Sequence, residues 1–135
     1  MTMQTKTAEK TLITLALLLL PGLAVPHYPV TMEVTAYAPL DPLAVEGMCH
    51  DGNPEMTAIG TRPAHGTVAV NPKIIPYGTE MYISGYGWGR AEDTGGLIRE
   101  RHDLIDVFVE TQKEALEWGR QRVTVWIPWG MGWPE

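Results

Sequence analysis

Cysteine is nearly absent from this chain. Cys49 stands alone among 135 residues, so no internal disulfide and no cysteine-rich zinc site can form. Positive charge is scarce as well. Ten Lys and Arg face sixteen Asp and Glu, for a formal net charge of −6. No basic stripe is present, so the electrostatic footprint of a nucleic-acid binder is missing. The histidines His50, His65 and His102 lack helix-borne ligand spacing, so neither a metal nor a cofactor is expected. Internal repeats and low-complexity segments are also missing. What remains is an ordinary globular composition, 44% hydrophobic and 19% charged, which argues against disorder. The length suits one domain plus at most a short appendage.

The N-terminus supplies the first positive signal. Lys6 and Lys10 precede an apolar run from Thr11 to Leu20, which meets Pro21-Gly22 and ends near Gly22-Leu23-Ala24. That order reads as a signal peptide over residues 1–24, cut after Ala24. An uncleaved anchor is the alternative; the run is shorter than the ~20 residues that span a bilayer. Either reading places a domain at 25–135 outside the cytoplasm, with contact to the membrane only through a retained leader.

Beyond the leader the pattern is mainly β. Val30–Tyr37 alternates and is rich in β-branched residues, which predicts a strand. A long loop from Ala38 to about Thr57 follows, punctuated by Pro39, Pro42, Gly47, Gly52 and Pro54, and loops of that length are often functional. Further strands are expected at Thr67–Val70, Glu80–Ile83, Ile105–Val109 and Arg122–Ile127. Gly85-Tyr86-Gly87-Trp88-Gly89 reads as a turn. Thr111-Gln112-Lys113-Glu114 has the capping-box pattern and opens one short helix that stops at Gly119. Many short strands and a single helix suggest a small barrel.

Two carboxylates stand out. Asp93-Thr94-Gly95-Gly96 places an acid at a strand end, before glycines that permit positive φ and close backbone approach to a ligand. Asp106 lies between β-branched and aromatic residues. By alternation it shares a face with Phe108, while Ile105 and Val107 share the other. It therefore faces either solvent or a groove. Asn71 closes the Val68-Ala69-Val70 strand. A turn role for Asp93 and an exposed strand position for Asp106 remain open on these grounds.

The ordered stretches Val34-Thr35-Ala36-Tyr37, Thr57-Ala58-Ile59-Gly60, Gly66–Pro72, Ile75–Thr79, Gly85-Tyr86-Gly87, Ala91–Gly96, Ile105-Asp106-Val107-Phe108 and Trp118-Gly119 resemble the three-aspartate, or 3D, domain. This domain occurs in secreted wall proteins, resuscitation factors and membrane-bound lytic transglycosylases similar to MltA. The resemblance covers roughly residues 30–128. It implies a six-stranded double-psi β-barrel. It also implies cleavage of the β-1,4 bond between N-acetylmuramic acid and N-acetylglucosamine in peptidoglycan, without water, leaving a 1,6-anhydro sugar. The family's second and third aspartates match Asp93 and Asp106, and the third is its usual catalytic acid. Asn71 stands where the first aspartate is usual. The segment between the other two is lengthened by Arg99-Glu100-Arg101-His102-Asp103, which makes Asp103 a competitor for the third position.

The chemistry asks for the same residues. Glycosidic cleavage needs a proton delivered to the leaving oxygen, hence a carboxyl group that keeps its proton near neutral pH. Burial or a neighbouring carboxylate provides that. Asp106 is the expected acid, then base, and Asp93 the group that raises its pKa or orients the sugar. Substrate contacts are expected from Asn71, Tyr37, Thr94, Gly95, Gly96 and Tyr86. Tyr37, Tyr86 and Trp88 could equally be core or turn residues. Trp126, Trp129 and Trp133 are expected to pack the tail over the barrel, with an exposed binding patch as the alternative. A Cys49-His50-Asp51 peptidase site is disfavoured, because a base must be close in space rather than adjacent in sequence. The rival classes are a non-catalytic, expansin-like wall-binding module and an aspartic peptidase.

Overall fold

The structure, a computed structural model, describes residues 25–44 and 52–131. The leader, Cys49-His50-Asp51 and Trp133 fall outside these residues. Six strands form a closed barrel: β1 (His27–Tyr37), β2 (Thr67–Ala69), β3 (Glu80–Ile83), β4 (Gly87–Asp93), β5 (Leu104–Phe108) and β6 (Gln121–Pro128). The order around the barrel is β1-β5-β2-β4-β3-β6. The pairs β1/β5 and β2/β4 are parallel, and the others antiparallel. One helix, α1 (Gln112–Trp118), separates β5 from β6. The architecture is the closed six-stranded barrel that the resemblance implies, with one short helix among the described residues where the capping box places it.

Strand alternation builds the core. Met32 and Val34 from β1, Met81 and Ile83 from β3, Ile105 and Val107 from β5, and Val125 and Ile127 from β6 are all buried in one cluster. Burying a branched aliphatic side chain contributes about 1.5–3 kcal/mol. β5 is buried on both faces, since Leu104 and Phe108 are also enclosed.

β4 corrects the sequence reading, which placed a turn at Gly85–Gly89. The turn ends by Gly87, and Gly87-Trp88-Gly89 pairs with β3. Glycine lowers strand propensity, but packing overrides it here. A Cβ on Gly89 would lie 2.5 Å from Val68 Cγ2, so only glycine lets β4 approach β2 at that point.

The helix starts as its sequence dictates. Thr111 Oγ1 accepts from Glu114 N, and the Glu114 carboxylate accepts from Thr111 N. Trp118 Nε1 donates to Val34 O at 3.0 Å, fastening the helix to β1. The long loop is tied to the helix start, where Gln112 N donates to Asp41 Oδ2 at 2.6 Å. That hydrogen bond, followed by the one from Leu43 N, holds the Asp41 carboxyl below its ordinary pKa.

Candidate functional site

The outward face of β1, β5 and β2 forms the floor of a cleft of about 290 Å³. Its walls come from residues 53–56 of the long loop and from the segment 94–98. Register decides which side chains meet there. Parallel pairing sets Thr35 opposite Asp106 and Tyr37 opposite Phe108. On the other side, Ala69 of β2 is paired both with Asp106 of β5 and with Asp93 of β4. The two acids thus flank one small residue. A single Cβ between them leaves open space above, where a larger side chain would fill the cleft floor.

Asp106 is partly buried and receives one side-chain hydrogen bond, from Thr35 Oγ1 to Oδ1 at 3.1 Å. Burial raises its pKa from 3.8 to about 7; the negative charge of Asp93 adds to the rise, against the lowering effect of the Thr35 hydroxyl. Asp93 is held differently. Tyr37 Oη donates to Oδ2 at 3.0 Å, while Ala58 N and Thr94 N donate to Oδ1 at 3.1 and 2.9 Å. Burial first, then the charge of Asp93, pushes the Tyr37 phenol upward, so it stays a donor. The result is one carboxyl that keeps a proton near neutrality beside one fixed by three donors.

Thr94, Gly95 and Gly96 all line this cleft. Thr94 Oγ1 is buried and has no hydrogen-bond partner among the described residues. Such an orphan costs about 1–3 kcal/mol. Neither Gly95 nor Gly96 uses the positive φ that glycine permits.

Two expected substrate contacts lie elsewhere. Asn71 is not part of the cleft lining. Its Oδ1 accepts from Lys73 N, and its Nδ2 donates to the carbonyls of Arg99 and Arg101 at 3.1 and 3.3 Å. Asn71 thereby clamps the 3-10 turn Ile98–Glu100, whose Ile98 does line the cleft. Tyr86 braces the barrel instead: its hydroxyl accepts from Gly66 N and donates to Phe108 O, both at 2.8 Å. The ring packs edge-on against Trp118.

Asp103 does not compete with Asp106. Burial pushes its pKa up, but hydrogen bonds from Arg101 and Arg122 outweigh that and hold it below the ordinary value. Trp88, Trp126 and Trp129 are on the surface, 58%, 40% and 61% exposed. Trp129 N donates to Pro26 O, and Met131 packs against the core cluster, so the tail lies on the barrel as expected. The Trp129 indole itself is largely exposed.

Sequence reasoning missed Thr35, Ala69 and Arg120, all of which line the cleft. For Thr35 a signal existed, since it alternates with Tyr37 on one strand face. For Ala69 and Arg120 none did, because their roles depend on strand neighbours distant in sequence.

Residues 66–128 match the 3D domain family. The chain carries a 3D domain. The matched segment runs from β2 to the end of β6, and β1 closes the barrel from outside it. Among relatives of this 3D-domain chain, the cell wall-binding protein YocH of Bacillus subtilis (strain 168) is 36% identical over 95 residues, 70% of this chain and 31% of that protein. The putative cell wall shaping protein YabE of the same organism is 37% identical over 65 residues, 48% of this chain and 16% of that protein. The matches therefore span about a third and a sixth of those relatives. Among the described residues, no group of three or more His, Cys, Asp or Glu is placed to hold a metal ion. Nor is any helix among them long and apolar enough to cross a membrane.

Proposed function

We propose that the 3D domain acts outside the cytoplasm on the glycan strands of peptidoglycan, as a lytic transglycosylase. The names of its relatives, cell wall-binding and cell wall-shaping, support the target. The observation that carries the reaction is Asp106, a carboxyl with its pKa raised to about 7, seated on a cleft floor next to Asp93.

In the reaction, protonated Asp106 gives its proton to the glycosidic oxygen as the C1–O4 bond breaks. The ring carries positive charge at C1, which the Asp93 carboxylate stabilises. Asp106, now a carboxylate, takes the proton from the sugar's own C6 hydroxyl, and O6 closes on C1 to give the 1,6-anhydro ring. Proton and charge balance without water and without a second nucleophile. Tyr37 keeps Asp93 in place.

A wall-binding module without catalysis is the second reading, favoured by the printed name of the first relative. Mass spectrometry of purified peptidoglycan digested with the chain separates the two. Anhydro-ended muropeptides are the expected product. Co-sedimentation with the wall but no released fragments would replace cleavage with binding.

A further inference from the structure

Three arginines beside the cleft share two carboxylates. Arg101 and Arg120 both bond Glu33 Oε1 through Nη1, at 3.0 and 2.5 Å. Arg101 also bonds Asp103, and Arg122 reaches the other oxygen of Asp103 at 3.4 Å. One positive charge is left over, on a protein of net charge −6.

Arg101 shows how such a guanidinium is satisfied. Its Nη1 goes to Glu33, and its Nε and Nη2 both go to Asp103 Oδ1, at 3.1 and 2.9 Å. Arg120 repeats the first half of this arrangement on the same Glu33 oxygen. Its Nε–Nη2 edge has no partner among the described residues. The side chain is 57% exposed and lines the cleft. That edge is the fork that binds a carboxylate bidentately.

Position adds a reason. Glu33, Thr35 and Tyr37 lie on one face of β1, where alternate residues are about 7 Å apart. Thr35 holds Asp106 and Tyr37 holds Asp93, while Glu33 holds Arg120. Glu33, the partner of Arg120, is therefore one strand repeat from Thr35, on the side away from Tyr37.

We propose that Arg120 is a subsite for a carboxylate carried by the glycan, adjacent to the bond that Asp106 addresses. This deepens the peptidoglycan reading and rests on it. The carboxylate is either the free one of the sugar's ether-linked lactyl group or one on its peptide substituent. The domain would then discriminate charged strands from neutral β-1,4 glycans of the same length.

The test compares three soluble substrates: strands stripped of peptide, strands bearing peptide, and neutral N-acetylglucosamine oligomers. Binding by calorimetry and cleavage by mass spectrometry are measured for the wild type, R120Q and R120K. The wild type is expected to prefer charged strands by roughly 10- to 100-fold, the usual size of a charge-assisted hydrogen bond. R120Q should lose that preference through KM or Kd, R120K should restore part of it, and added salt should weaken it. The stripped and peptide-bearing arms identify which carboxylate is read. Equal affinity of the wild type for neutral and charged strands would overturn the subsite, as would an undiminished preference in folded R120Q. An Arg120-dependent preference in binding with no cleavage of any substrate would uphold the subsite and remove the transglycosylase reading.

Discussion

Asp106 and Asp93 differ in their surroundings, and the roles proposed for them follow from that difference. Asp106 has one hydroxyl donor and a desolvated site, whereas Asp93 has a phenol and two backbone N–H groups. Replacing the acid, Asp106→Asn, should lower turnover on purified strands by about 100- to 10,000-fold. In the proposed reaction the protonated form acts first, so kcat/KM in the wild type should fall as pH rises through about 7. Asp93→Asn removes a charge that raises the Asp106 pKa, so the falling limb should move to lower pH. A limb that stays in place would show that Asp93 does not act on Asp106 electrostatically. Asn71 belongs at this scale too. An aspartate there has no N–H for the carbonyls of Arg99 and Arg101. Asn71→Asp should therefore destabilise the protein by about 1–3 kcal/mol in urea unfolding. An unchanged midpoint would contradict the clamp.

At the scale of elements, β4 and α1 show opposite relations between local sequence and structure. The helix has its capping box in Thr111 and Glu114, and it forms where that pattern places it. β4 contains Gly87 and Gly89, which resemble turn residues, yet it is a barrel strand. The reason is the contact between β4 and β2. Gly89→Ala would set a methyl group against the buried Val68 side chain. Overpacking of this kind typically costs about 1–3 kcal/mol. A thermal melt should show the loss, and pairing it with Val68→Ala should recover part of it if the clash is the cause.

At the scale of the whole molecule, the site is held at a cost to stability. The unfolded chain releases the Asp106 proton near pH 3.8, while the folded barrel holds it to about 7. Below the lower value both states are protonated and no cost arises. Between the two values the folded state binds more protons, so stability falls as pH rises, levelling off above about 7. Asp106→Asn removes this term. It should stabilise the protein by roughly 1–4 kcal/mol at pH 8 and much less at pH 4, as read by urea unfolding at both values. A variant that gains nothing at pH 8 relative to pH 4 would mean that the acid is not desolvated by the fold.

Much of this protein was legible in its residues. Alternation in Met32–Val34 and Ile105–Val107 marked the core faces, and the ordered motifs around Asp93 and Asp106 marked both the barrel and its acids. Period-two patterning and capping are local, so the sequence by itself determined them. It left Asp106 facing either solvent or a groove, and it gave Asn71 and Tyr86 to the substrate. Those questions turn on which strands become neighbours. Only the tertiary structure brought β1, β5, β2 and β4 side by side, set Ala69 between the two acids, and left one edge of Arg120 open to the cleft. Barrel closure pairs strands that are far apart in the chain, and no local pattern encodes which side chains such pairing will bring into contact.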